Sequence, residues 1–243
     1  MFKVYYRYSD KGNPFGQDNH LENAKSPLRF MTRKKCFENF ISVFDVNEII
    51  VVADNVNDDT FNYLESKGVS QIIRTSLGNS GSFLTILNMV MSEMDNEDIM
   101  YIAEDDYLHL PDGKKYIEEG LQKADYVSLY DHLDKYTNPS YNPLVKDGSE
   151  ETRVFITESI HWKYTNATTG SFAAKIKTIR QDQDVFLKFC HPRFKFPQDF
   201  SIFRELITQR GRTLITPIPG KSSHIGLEMS PFIDWIKISG LEV

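Results

Sequence analysis

The most chemically loaded stretch of the sequence is Glu104-Asp105-Asp106, three carboxylates delivered at the end of the apolar run 99–103. Carboxylates crowded at one spot repel one another, and a divalent cation relieves that repulsion. Hard cations such as Mg²⁺ and Mn²⁺ take oxygen ligands, usually one or two carboxylates completed by phosphate oxygens and water. The same triplet also suits a solvated turn or a helix start whose dipole offsets the charge. Asp10 and Asp54 close two other apolar segments in the same manner. If those segments are parallel strands, all these acids lie beyond strand carboxyl ends, where open α/β sheets bind their ligands. Neither a G-x-x-x-x-G-K-[ST] loop nor a G-x-S-x-G elbow occurs, so P-loop ATPase and α/β-hydrolase chemistry have no support. Cys36 and Cys190 sit in no CxxC or Cys/His cluster and read as buried thiols. His20, His109, His132, His161 and His191 show no ligand spacing and receive no role.

The elements that must position these acids follow from two alternating periods. Residues 2–8 read as a strand and 10–16 as a turn. An amphipathic helix carrying Phe37, Phe40, Ile41 and Phe44 follows. The unbroken apolar run 48–53, ending in Asp54, reads as a parallel strand buried on both faces. Asp58, Asp59 and Thr60 open a helix that Gly68 closes. Residues 71–75 read as a strand, 80–94 as a helix and 99–103 as the strand feeding the triplet. Strand–helix units recurring about every thirty residues predict a doubly wound, Rossmann-like α/β sheet. The second half is less regular. Strands are expected at 126–130, 154–157, 161–164 and 213–217, helices at 178–189 and 198–209, a loop at 135–151 and a mostly irregular tail after Pro219. No repeat or convincing linker divides the chain, so residues 1–243 read as one domain.

Composition narrows the partners. With 34 acidic and 28 basic residues in 243, the formal charge of −6 gives no field to hold a long polyanion, and nucleic-acid binding is not expected. The start MFKVYYRYSD lacks the apolar stretch of a secretory signal, and apolar runs such as EIIVVA are only strand-sized. The expectation is a cytoplasmic protein without a transmembrane segment.

Several segments resemble glycosyltransferases of the GT-A fold, DXD-type and family 2-like. IIVVADNVNDDTFNYL (49–64) is similar to that family's second strand, its acidic end and the helix start that follows. LGNSGSFLTILNMV (77–90) resembles the helix preceding the metal motif, and IMYIAEDDYLHLPDG (99–113) resembles the motif itself in an "EDD" version, with Glu104 where many members have Asp. The resemblance implies a mostly parallel central sheet flanked by helices, with a nucleotide-sugar-binding half (1–113) and a less regular acceptor-binding half (114–243). By that resemblance Tyr6, Arg7, Tyr8, Asp54 and Asn79 would line the nucleotide-sugar pocket. Asp106 would ligate Mn²⁺ or Mg²⁺, and Glu104 and Asp105 would hold ribose, water or sugar.

FPQDFSIFREL (196–206) is similar to the segment of inverting members whose aspartate is the general base. Asp199 matches that position, although an aspartate beside Pro197 also suits a helix start. KSSHIGLEMS (221–230) resembles the C-terminal H-x-G segment, which makes His224 a candidate for the metal or the diphosphate. ATTGSFAAKIK (167–177) resembles the small-residue strand bordering the acceptor pocket. There Thr169, Gly170 and Ser171 would let a sugar approach the backbone, or simply form a tight turn. Lys221 and Arg212 could offset diphosphate charge, and Trp162 and Trp235 could stack on sugars, though solvation and core packing suit them equally.

The function implied is transfer of a sugar from a nucleotide-diphosphate sugar, with a UDP-sugar the first candidate, to a hydroxyl of a glycan or lipid-linked saccharide. Three readings compete with it: a retaining enzyme of the same fold, a sugar-nucleotide pyrophosphorylase and a non-catalytic carbohydrate- or nucleotide-binding module.

Overall fold

The computed structural model describes residues 1–11, 28–140, 142–226 and 228–240, so most of the turn expected at 10–16 lies outside the described residues. The strands are β1 (Phe2–Ser9), β2 (Ile49–Asp54), β3 (Gln71–Thr75), β4 (Ile99–Glu104), β5 (Tyr107–His109), β6 (Tyr126–Val127), β7 (Val154–Ile156), β8 (His161–Tyr164), β9 (Phe172–Lys175), β10 (Leu214–Ile218) and β11 (Ser222–His224). The α-helices are α1 (Arg33–Val43), α2 (Asp58–Glu65), α3 (Gly78–Glu93), α4 (Gly113–Gly120), α5 (Ile176–Gln181), α6 (Gln183–Phe189), α7 (Asp199–Arg210) and α8 (Trp235–Ser239).

One nine-stranded sheet in the order β3-β2-β1-β4-β9-β6-β10-β8-β7 runs through both halves of the chain, with β5 and β11 pairing separately. Strands β8 and β9 oppose the other seven, so the sheet is mostly parallel, as the repeating strand–helix pattern predicts. Strand β2 is buried at every residue, which is why its sequence is uniformly apolar up to Asp54. Alternate side chains divide between two layers. Tyr5, Ile50, Val52 and Phe172 of the sheet join α3 and α5–α7 through Phe83, Ile179, Phe186 and Phe203. Val4, Tyr6, Ile49 and Val51 join α1, α2 and α4 through Phe37, Phe40, Leu64 and Ile117. A third, smaller cluster ties Leu28 and Met31 to Leu108, Ile225 and Trp235, and so anchors the C-terminal segment beside β5.

Three expectations are corrected, and the expected loop at 135–151 is found with its anchors. The helix expected over 178–189 is two helices broken at Asp182, whose fully buried carboxylate accepts from Tyr126 Oη (2.7 Å) and Arg212 Nε (2.8 Å). A polar demand inside the core interrupts the helical period there. The strand expected over 126–130 ends at Val127; beyond it Ser128 N–H still donates to Ile215 O (2.9 Å), and Tyr130 instead bridges to Ser222. The tail after Pro219 is more ordered than expected, forming β11 and α8. The loop at 135–151 is tied down by buried charge. Lys163 Nζ lies 3.0 Å from Asp131 and 3.2 Å from Glu150, while Lys135 Nζ donates to Asn166 Oδ1 (2.9 Å).

Candidate functional site

In a parallel α/β sheet each connecting helix runs against the strands, so strand carboxyl ends and helix starts meet at one edge. Here that edge gathers the ends of β1, β2 and β4 and the starts of α1, α3 and α7. The antiparallel strand β9 begins at the same edge, which places residues 169–171 there. A cleft of about 650 Å³ opens between them, lined by Arg7, Arg33, Asn79, the acidic triplet, Lys195 and Phe196, among others.

Each carboxylate of the triplet has its own partner, an arginine for Glu104 and Asp105 and a histidine for Asp106. Glu104 Oε1 lies 3.1 Å from Arg7 Nη1, and Arg7 is itself locked by donating Nη2 to Asn79 O (2.8 Å) and Ser82 Oγ (3.2 Å). Asp105 Oδ2 accepts from the Ser9 N–H (2.7 Å) and lies 3.1 Å from Arg33 Nε. Asp106 Oδ2 meets His224 Nε2 at 3.3 Å. Burial, opposed by Arg7, pushes Glu104 up to about 7, and burial opposed by Arg33 pushes Asp105 up to about 6. Burial disfavours a charged His224, but the Asp106 carboxylate outweighs it and raises the imidazole above its ordinary value. Arg7 and Arg33 thus offset part of the burial and mutual repulsion of Glu104 and Asp105, and the raised carboxyls show that the rest remains.

Asp106 differs from its neighbours in one respect: its Oδ1 is buried without a hydrogen-bond partner. A buried oxygen left unpaired fits a hard cation. Among the described residues no three His, Cys, Asp or Glu side chains are grouped to hold a metal ion, so a cation here would need substrate oxygens to complete its shell. His224 does not fit as a ligand in this arrangement. Its Nδ1 accepts the Gly226 N–H (3.0 Å), which assigns the proton to Nε2 and makes that nitrogen a donor toward Asp106.

The other expected residues divide sharply. Arg7, Tyr8, Asp54 and Asn79 line the cleft. Tyr6 does not: its ring is fully buried among Phe37 and Phe40, on the same face of β1 as Tyr8 but two residues further from the strand's carboxyl end. The Asp54 carboxylate is already engaged, accepting from Thr75 Oγ1 (2.9 Å) and the N–H groups of Leu77 (2.7 Å) and Gly78 (3.1 Å). Asp10 is likewise occupied at the start of α2, accepting from the Asn57 N–H (2.8 Å) and Thr60 Oγ1 (3.0 Å). Gly170 and Ser171 are buried beneath Glu104 rather than open to a sugar. Ser171 Oγ accepts the Glu104 N–H (3.2 Å), and a Cβ at Gly170 would lie 2.9 Å from the Glu104 carboxyl. Thr169 is partly exposed and accepts from Tyr107 Oη (2.9 Å). Trp162 and Trp235 are core residues, and Arg212 is committed to Asp182.

Asp199 is the first residue of α7 and accepts the following Phe200 N–H (2.8 Å). Burial pushes its carboxyl up to about 6, and its charge acts on Glu104. Three residues escaped the sequence reading. Arg33 opens α1, and Lys195 lies in the loop before α7. His132 follows β6 and sits between Asp134 (2.9 Å) and Glu228 (3.0 Å), which overcome its burial and raise it to about 9. His132 acts electrostatically on both Asp199 and His224. Its place just beyond a parallel strand was the one signal available.

No family model matches the chain, and no curated protein matches it in sequence. Solved structures do match its fold. A candidate glucose-1-phosphate thymidylyltransferase from Bacillus anthracis superposes with a TM-score of 0.53 at 14% identity, over 100% of this chain and 97% of that one. S. aureus TarS (residues 1–349) matches at a TM-score of 0.48 and 14% identity, over 88% of this chain and 57% of that one. The WbbM bifunctional glycosyltransferase matches at 0.46 and 11%, over 85% and 36%. The first of these likenesses establishes the Rossmann-like α/β fold. Among the described residues no helix is long and apolar enough to cross a membrane.

Proposed function

We propose that the chain is a glycosyltransferase that moves a sugar from a nucleotide-diphosphate donor to an acceptor hydroxyl, with Asp199 as base. One observation carries the reading. A carboxylate raised to about 6 stands at the start of α7, within electrostatic reach of an acidic triplet that ends a parallel strand in a large cleft. Glycosyl transfer needs both parts, a site for the donor and a group to take the acceptor's proton. Asp199 removes that proton as the hydroxyl oxygen attacks the anomeric carbon. The bond from that carbon to the diphosphate breaks, and the diphosphate departs with the electron pair. Attack opposite to departure inverts the anomeric centre.

The remaining residues position the reactants. Arg7 holds Glu104 against the cleft wall, and Arg33 and the Ser9 N–H hold Asp105. The protonated Nε2 of His224 keeps Asp106 Oδ2 in place, leaving Oδ1 as the oxygen for Mn²⁺ or Mg²⁺. Bound there, such a cation supplies electrophilic stabilisation of the diphosphate charge.

Nucleotidyl transfer, as in a sugar-nucleotide pyrophosphorylase, is the second reading. It is favoured by the cations Lys11, Arg33 and Lys195 on the cleft wall, which suit a triphosphate. The likeness over nearly the whole of both chains to the candidate thymidylyltransferase agrees with it. Against it, a sugar phosphate is already an anionic nucleophile. It needs no base, and Asp199 and Glu104 would repel it. The deciding experiment incubates the protein with UDP-, GDP- and dTDP-sugars and Mn²⁺, once with glycan acceptors and once with pyrophosphate. Glycoside formation or donor hydrolysis that Asp199→Asn removes supports glycosyl transfer. Release of nucleoside triphosphate in the pyrophosphate arm overturns it.

A further inference from the structure

The nine-stranded sheet ends at β3 on one side and at β7 on the other, and the two edges are built differently. Strand β3 shows solvent Gln71 and Arg74, polar residues of the kind that keep an open edge from pairing. Strand β7 shows Val154 and Ile156, which keep 58% and 66% of their surface exposed, and it carries neither proline nor charge. Two large aliphatic side chains at alternating positions of an edge strand are unfavourable to leave in water.

The backbone of this edge is open as well. Strand β8 takes one side of β7. The Tyr164 N–H donates to Arg153 O (3.2 Å), the Thr157 N–H donates to Ile160 O (3.0 Å), and Phe155 lies opposite Trp162 between these pairs. Antiparallel strands alternate, so Arg153, Phe155 and Thr157 turn their N–H and C=O groups to β8, while Val154 and Ile156 turn theirs outward. Val154 and Ile156 share one face of the strand. Phe155, packed against Tyr164 (5.3 Å), takes the other, in the same core layer as Ile117 of α4.

We infer that β7 is the interface of a two-fold dimer, in which a second copy of the chain adds its own β7 antiparallel and the two sheets become one. The outward groups set the register. Pairing centred on Phe155 puts Val154 opposite the partner's Ile156 and Ile156 opposite the partner's Val154. Four backbone hydrogen bonds then form, and four aliphatic side chains meet in one row. Charge at the two ends of the edge selects a second copy over another strand. Arg153, exposed and stacked on Tyr164 (4.8 Å), stands at one end. At the other end a groove beside α4 is lined by Glu118, Glu119 and Glu158 against Lys115 and Lys123, an excess of one acid. Glu119 holds the turn there by accepting the Ser159 N–H (3.0 Å), and its Oε2 has no hydrogen-bond partner. Antiparallel self-pairing sets each Arg153 across from the partner's Thr157, at that acidic end, and does so twice by symmetry.

The test follows the mass of the full chain against concentration by sedimentation velocity. Wild type should pass from one chain to two in the micromolar range, as small interfaces do. Ile156→Lys, a change at an exposed position, puts two charges into the aliphatic row of the dimer and should weaken association about tenfold or more. Mild oxidation of Val154→Cys and Ile156→Cys chains reads the register. Mixed together they should cross-link, because opposed residues lie about 5.5 Å apart at Cα, whereas neither should cross-link alone, like positions being two residues out of step. The native Cys36 and Cys190 are buried and do not compete. Wild type that stays a single chain at every concentration overturns the interface, and so does a dimer that Ile156→Lys leaves intact. Cross-linking of either cysteine variant alone overturns the register. A chain that stays monomeric but binds an extended peptide, and loses it in Ile156→Lys, overturns the second copy as the occupant. The wild-type mass decides the matter even if a variant does not fold.

Discussion

Replacing Asp199 by Asn should make the protein more stable and nearly inactive at once. Burial raises the Asp199 carboxyl from 3.8 to about 6. A raised carboxyl means that the fold favours the protonated form. Its stabilising contribution is complete below the unfolded value and is lost as pH rises through the folded one. At about 1.4 kcal/mol for each tenfold in proton affinity, an ionised Asp199 costs the fold up to about 3 kcal/mol at pH 8. The group is only partly buried, and about half of that, roughly 1.5 kcal/mol, is the working expectation. Asn keeps an oxygen to accept the Phe200 N–H and removes the charge. In urea unfolding, Asp199→Asn should exceed wild type by roughly 1.5 kcal/mol at pH 8 and by about half as much at pH 5. Its transfer rate should fall about 10²- to 10⁴-fold, while wild-type kcat/KM rises through pH 6 and levels above it. A variant no more stable than wild type at pH 8, or a stability gap that does not widen with pH, would refute the burial argument. Retained transfer would refute the assignment of the base.

Three other outcomes follow from the same geometry. Gly170→Ala places a Cβ 2.9 Å from the Glu104 carboxyl and should cost about 1–3 kcal/mol in urea unfolding, a loss that Glu104→Ala in the same chain cancels if the clash is its cause. Asp106→Asn should abolish any Mn²⁺-dependent rise in Tm given by a nucleoside diphosphate, because the unpaired oxygen it neutralises is the one left for the cation. Phe172→Ala should cost about 3–5 kcal/mol by chemical denaturation, since its fully packed ring meets Phe186 at 5.8 Å and Phe203 at 5.2 Å.

The parallel half of the fold was legible because its central strands are buried on both faces and must read as apolar runs. The 49–54 strand and the strand feeding Glu104 fall where those runs place them, and the 71–75 strand, a partly exposed edge strand, was placed by its two isoleucines between the flanking helices. The short strands at 107–109 and 222–224 carry no such signature. They pair with each other across more than a hundred residues, and three alternating positions give too little periodicity to detect. The partners of the triplet were hidden for the same reason of range: Arg7 lies 97 residues from Glu104, and His224 lies 118 from Asp106. A cluster of acids is visible in one window of sequence, whereas what neutralises it depends on the whole topology. Tyr6 shows the opposite error, a residue assigned by its neighbours although it stands two residues deeper in the sheet than Tyr8 and packs into the core.

The separate pairing of the three carboxylates bears on what the triplet is for. Had all three been unpaired, any divalent cation could be shared among them, and removing one acid would shift the load to the others. Glu104 and Asp105 instead face arginines, whose guanidinium groups hold each carboxyl by charge-assisted contact. Asp106 faces His224, whose Nδ1 accepts the Gly226 N–H and whose Nε2 therefore meets the carboxylate as a hydrogen-bond donor. The two arginine-held acids are therefore positioned walls that shape the cleft. The third acid keeps one oxygen to offer. Division of labour of this kind follows from the identity of the partners, and a sequence motif written only in carboxylates does not express it.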